Sequence, residues 1–181
     1  MVSVNRLILR KFKNIAGSRY EEILNSYRDF FLTEEEMVIP RFKSILIAID
    51  RYSSNVPEGV FKLIEHYSPE RVLVTYVVDE NTCRLIRETL GEEDADKFRE
   101  KETALAQESL YRVRVALKAL DVGWEEEVVF ADKTTHVETL MGKYDVLIIG
   151  KQYGLESAKT HHISPLVFRI VQHVAKPVVL Y

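Results

Sequence analysis

Cysteine is almost missing from this 181-residue sequence. Cys83 stands alone, so a disulfide within the chain is excluded and a reducing cytoplasm is the expected compartment. Arg84 and Arg87 beside it favour a thiolate, but no partner motif accompanies Cys83, and it reads as an inert thiol. Long apolar runs are missing too. The longest are strand-sized, so no transmembrane segment is expected. Arg6, Arg10, Lys11 and Lys13 interrupt the first residues and leave no signal-peptide core. Neither sign of charge dominates: the formal net charge is −3 and the pI about 6.0, which gives no reason to expect a nucleic-acid partner.

Catalytic and metal signatures are equally scarce. Ser53 and Ser54 lack the G-x-S-x-G elbow, and no Walker A sequence occurs. No paired carboxylates and no nucleophile–base set stand out, so no catalytic residue is assigned. His161 and His162 are adjacent, and neighbours in sequence rarely point at one ion. Without a cysteine or carboxylate cluster at ligand spacing, no metal is expected. His66, His136 and His173 are isolated and read as surface or helix-face residues.

What the chain does have is a hydrophobic content of 46%, ample for a core, and a regular alternation of strand and helix patterns. Residues 1–40 read as a helical extension and residues 41–181 as the main domain, with Pro40 at the boundary. In the extension, Val4, Leu7, Ile8, Phe12 and Ile15 follow helical spacing. Ser18 and Glu21 form a capping box ahead of a second stripe through Tyr20, Leu24, Tyr27 and Phe31. That stripe fits either packing on the chain's own domain or on a dimer mate, or a partner-binding or membrane-surface hairpin.

In the main domain, Ser44–Ile49 reads as a buried strand ending at Asp50, and Pro57 and Glu58 start a helix. A second strand spans Val72–Val78. Gly91 separates a short lead-in helix from a long one carrying Phe98, Leu105, Leu110, Val113, Leu117 and Leu120, whose charged positions read as a solvated face. Glu126–Phe130 is the third strand, followed by a short helix capped by Thr134 or Thr135. Alternation of this kind predicts an α/β fold with a doubly wound parallel sheet and right-handed crossovers, whose ligands bind at the carboxyl ends of the strands.

The chain is organised around Tyr144–Tyr181. Val146–Ile149 is a continuous apolar run of the kind a fully buried parallel strand needs, and it ends at Gly150. A loop to His162 follows. Ser164 and Pro165 then open a helix as N-cap and first residue, with Leu166, Ile170, Val171 and Val174 at helical spacing. Lys176-Pro177 stops it before a last short strand. A strand, a glycine loop and a helix N-terminus form an anion cradle.

This stretch resembles the C-terminal third of a universal stress protein, whose nucleotide-binding members carry Gly-x2-Gly-x9-Gly-(Ser/Thr) here. In one register Gly150 and Ser164 stand while Tyr153 and Ile163 replace the other two glycines. In the other, one residue longer, Gly150 and Gly154 stand and Ser164-Pro165 replaces Gly-Ser. Ala131-Asp132-Lys133 also departs from the family's usual Gly-(Asp/Asn)-Pro. The resemblance covers about residues 42–181. It implies a five-stranded, adenine nucleotide alpha hydrolase-like sheet of strand order 3-2-1-4-5. It also implies a nucleotide crevice built from Asp50, Val77, Ile149, Gly150, Lys151, Gly154 and Ser164. Lys151, Lys159, His161 and His162 either supply cations in place of lost backbone contacts or form a polar surface loop, and Tyr153 and Ile163 are alternatives for filling the cleft. The expected function is a homodimeric regulatory or binding module, paired through Lys176–Tyr181, with a degenerate loop and weak or no binding of ATP, ADP or AMP. Two alternatives remain: an adenine-nucleotide switch, and an enzyme acting on a nucleotide or phosphorylated metabolite in the same crevice. A protein partner for residues 1–40 belongs to the first reading.

Overall fold

A computed structural model describes residues 41–155 and 162–181. The helices expected over residues 1–40, and Lys159 and His161 of the loop, lie outside them. Five parallel strands form one sheet of order β3-β2-β1-β4-β5, as expected. They are β1 (Ser44–Ile49), β2 (Arg71–Asp79), β3 (Gly123–Ala131), β4 (Val146–Ile149) and β5 (Val178–Leu180). The intervening helices are α1 (Glu58–Tyr67), α2 (Glu80–Leu90), α3 (Glu92–Lys118), α4 (Lys133–Met141) and α5 (Pro165–His173). No helix among the described residues is long and apolar enough to cross a membrane.

The apolar runs are continuous because both faces of the central strands are covered. In β1, Ile45, Ile47 and Ile49 pack with Val60 and Ile64 of α1, Cys83 of α2 and Leu110, Val113 and Leu117 of α3. Leu46 and Ala48 face the opposite layer, with Val137 and Met141 of α4 and Val167 and Ile170 of α5. β1 pairs with β2 from Ser44↔Arg71 to Ile49↔Tyr76 and with β4 from Ile45↔Val146 to Ala48↔Ile149. Asp145 fixes where the sheet begins. Its Oδ2 accepts from the Lys43 amide at 2.9 Å and from the Ser44 amide and hydroxyl, each at 3.0 Å.

Local details depart from the sequence reading for identifiable reasons. The short helix α4 is capped by Asp132, whose carboxylate accepts from the Thr135 amide at 2.8 Å, rather than by Thr134 or Thr135. In α5 the buried residues are Val167 and Ile170, while Val171 is exposed. The capping geometry of Ser164 turns the i, i+3 pair 167/170, rather than 170/171, toward the sheet. Along α3 the buried face includes Glu102, which the charge pattern placed in solvent, because Arg51 reaches it at 2.8 Å. β3 starts three residues before the expected Glu126, since its pairing with β2 runs unbroken from Arg71↔Gly123 to Asp79↔Ala131.

Candidate functional site

The strand order reverses between β1 and β4, and the residues after these strands meet there. Asp50 follows the last buried residue of β1 and is itself fully buried. A buried carboxylate requires partners, and Asp50 has them on both oxygens. Oδ1 accepts from the Tyr52 and Ser53 amides, each at 3.0 Å, and from the Ser53 hydroxyl at 2.8 Å. Oδ2 accepts from the Lys133 ammonium at 2.5 Å and from the Gly154 amide at 2.7 Å.

Lys133 is the residue that sequence reasoning missed. It is the first residue of α4 and 6% exposed, an unfavourable place for a cation because a helix N-terminus already carries positive potential. That misfit was the available signal. The Asp50 carboxylate compensates it, and the ammonium also sits 5.3 Å from the Tyr153 ring centroid and 5.6 Å from that of Tyr52.

The loop after β4 turns inward. Gly150 is forced by space: a Cβ there would lie 2.5 Å from the Ser53 Cβ and 3.2 Å from the Tyr181 ring. The Tyr153 amide donates to the Gly150 carbonyl at 3.0 Å, closing a turn that buries the Tyr153 side chain completely. Gly154 then adopts φ 87°, a conformation glycine takes at no steric cost, and this directs its amide at Asp50. Ser164 is spent on the same turn. Its hydroxyl donates to the Tyr153 carbonyl at 2.6 Å and accepts from the Val167 amide at 3.1 Å, as the cap of α5. Its amide donates to the Lys151 carbonyl at 2.8 Å, and the Lys151 amide donates to the Tyr181 carbonyl at 2.8 Å.

Asp50, Gly154, Gly150, Lys151 and Ser164 are thus brought together, but through bonds to one another and to Lys133, Ser53 and Tyr153. Val77 and Ile149 are buried in the same apolar cluster as Tyr153. Ile163 is half-buried against that cluster, and His162 and the Lys151 side chain are exposed. The Tyr153 hydroxyl finds no hydrogen-bond partner among the described residues. Burial first, and then the charges of Asp50, Asp132 and Asp79, hold it well above the ordinary tyrosine range. Three shallow hollows stay open around these contacts: one of about 310 Å³ along Tyr52, Gly150, Lys151, His162 and Tyr181, one of about 360 Å³ between Asp79, Lys133 and Arg169, and a polar crevice of about 240 Å³ bordered by Arg51, Asp79, Glu102, Lys133 and Leu155. The crevice between Arg51 and Lys133 falls below the ~300 Å³ at which small-molecule pockets usually begin, and the other two lie at the lower end of that range.

No protein-family model and no curated protein matches the sequence. Solved structures do. The hypothetical protein MJ0577 superposes with a TM-score of 0.63 at 18% identity, over 78% of this chain and 96% of its own. UspA, a universal stress protein from Lactobacillus plantarum, gives 0.63 at 13% identity, over 78% and 99%. The chain has the universal stress protein fold. A universal stress protein solved in complex with cAMP superposes at 0.51 with 12% identity, over 78% and 98%. At these identities the likeness is one of fold. Where the strand order reverses in this chain stand the inward-turned contacts around Asp50.

Proposed function

We propose that this domain is a universal stress protein-like regulatory or binding module whose adenine crevice is filled by its own chain, so that ATP, ADP and AMP bind weakly or not at all. The observation that carries this reading is the saturation of the Asp50 carboxylate by Lys133, Gly154, Tyr52 and Ser53. The ring of Tyr153, buried with Val77 and Ile149, supports it. A nucleotide would have to break a buried ion pair and expel that ring before its base met the apolar wall. In this reading the hollow beside Gly150, Lys151 and His162 holds an adenylate only weakly, and the module acts through partners. Pairing of two copies through Lys176–Tyr181 follows from the position of β5 at one sheet edge, which leaves one side of its backbone for a second chain. Residues 1–40 are assigned to partner binding and the chain to the cytoplasm.

Isothermal titration of the full chain with ATP, ADP, AMP and cAMP tests this. cAMP is included because one protein of the same fold was solved with it. Dissociation constants weaker than roughly tens of micromolar are expected for the wild type, because losing two charge-assisted contacts costs about 2–5 kcal/mol. Tyr153→Gly is expected to tighten binding by opening the wall beside Val77. Submicromolar ATP affinity in the wild type would overturn the reading and restore a nucleotide switch.

A further inference from the structure

We infer that the outer edge of β3, unpaired among the described residues, captures an extended segment of another protein, one whose residues alternate between apolar and basic. β3 lies at the end of the sheet opposite β5 and, among the described residues, pairs with β2 alone. It is nine residues long and keeps unbroken register. No proline and no bulge interrupts Gly123–Ala131, and the only charges on it are Glu125, Glu126 and Glu127, which repel an acidic or identical strand but not a basic one.

Beside this edge runs a groove. Ala104, Gln107, Leu110 and Tyr111 of α3 form one wall, and Val128 and Phe130 of β3 form the other. Two hollows of about 500 and 400 Å³ share Gln107 and so follow the strand from Glu126 to Phe130. Tyr111 is 60% exposed there, a large apolar surface left uncovered for its position. Arg114 and Glu126 neutralise each other at the groove's end.

Successive side chains of a strand point to opposite faces, which gives the edge two chemistries. Trp124, Val128 and Phe130 belong to the α3 side, and Val129 and Ala131 to the α4 side. Glu125 and Glu127 therefore share the α4 face. Glu127 meets His136 Nε2 at 3.2 Å, while Glu125 is exposed and has no ion pair or hydrogen bond among the described residues. Arg71 on that face belongs to β2, one strand further in, where its guanidinium covers the Tyr144 ring and donates to the Lys143 carbonyl. An added strand would set its alternate residues into the apolar groove and the residues between them beside Glu125 and Glu127. This is strand addition with pockets for alternate side chains.

A second copy is a poor occupant. Two β3 edges paired around a two-fold would bring the Glu125–Glu127 triplets together, and like charges across a ladder repel. The charge complementarity selects lysine or arginine in the partner.

The test is fluorescence anisotropy of the full chain with a labelled, acetylated nine-residue peptide alternating valine and lysine, matched to the length of β3. Saturable binding is expected, with no binding to the valine–glutamate counterpart or to a scrambled valine–lysine peptide. Glu125→Lys/Glu127→Lys, checked for native circular dichroism, should weaken binding about tenfold, since two attractive cross-strand pairs become repulsive. Tyr111→Asp should weaken it from the groove side. Equal affinity for the scrambled peptide, no binding up to about 1 mM, or no effect of charge reversal would overturn the proposal. So would loss of self-association in the charge-reversed protein, which would give this edge to a second copy.

Discussion

Lys133 and Asp50 form an ion pair of 2.5 Å across 83 positions of sequence, with side chains 6% and 0% exposed. Removing one member leaves the other charged and buried. Lys133→Met is expected to lower unfolding free energy by about 3–5 kcal/mol. The double variant Lys133→Met/Asp50→Asn should lose less than the two single losses combined, because it leaves no uncompensated charge. Urea unfolding of the four proteins measures the coupling, and strict additivity would contradict a direct pair.

Tyr153 separates the worth of a ring from that of its hydroxyl. The hydroxyl is buried without a partner among the described residues, so Tyr153→Phe should leave stability unchanged or raise it by about 1 kcal/mol. Tyr153→Ala removes the ring from the cluster around Val77 and Ile149 and should cost about 3–5 kcal/mol. Thermal melts of both variants decide this; equal losses would mean that the ring does not fill the wall.

Acid should loosen the fold at two carboxylates. Asp132 is held below the ordinary range chiefly by the hydrogen bond from the Thr135 amide and then by the Thr135 side chain. For Asp145, burial raises the value, but hydrogen bonds from the Ser44 side chain, then the Ser44 and Lys43 amides, and the Lys176 charge outweigh it. Both are therefore lower in the folded chain than in the unfolded one. Their stabilisation is present above the unfolded value of about 4 and is lost as pH falls through the folded values. Asp145→Asn should flatten the loss of stability below about pH 4 and cost about 1 kcal/mol at pH 7. Asp132→Asn keeps a capping side chain, and at this exposed site solvent screening limits its effect to about 0.5 kcal/mol. Denaturant melts from pH 2 to 8 give both slopes.

At the other edge of the sheet, backbone direction alternates along β5. The Pro177 carbonyl accepts from Leu147 and the Tyr181 amide donates to Ile149, so the 177, 179 and 181 positions face β4 and the Leu180 amide faces away. Leu180→Pro should spare the pairing with β4 and block a second chain. Sedimentation is expected to show a dimer for the wild type and a monomer for the variant; a variant that still dimerises would place the interface elsewhere.

The order of elements was legible because parallel strands covered on both faces need unbroken apolar runs, and Ser44–Ile49 and Val146–Ile149 supply them. Ser164-Pro165 marked the start of α5 equally well, because a cap is a local bond. β3 was harder to bound. Gly123, Trp124 and Glu125 lie before the expected start at Glu126, and only pairing with β2 makes them strand. The closure of the crevice was harder still. Asp50 and Gly154 were readable as site residues, but their mutual bond spans 104 positions, and the burial of Glu102 rests on Arg51, 51 positions away. Such pairings are set by tertiary proximity, to which periodicity and capping signals are blind.

Gly154 gives Asp50 the amide that a phosphate-cradling loop would aim outward. A ligand stabilises a fold only by binding the native state better than the unfolded one. If the proposed function holds, a loop whose Lys151, Tyr153, Gly154 and Ser164 amides are taken by its own chain would offer adenylates no such preference. The melting temperature of this domain, and the fraction of it surviving proteolysis, would then be the same in a starved cell as in a fed one, so its abundance would stay uncoupled from energy charge.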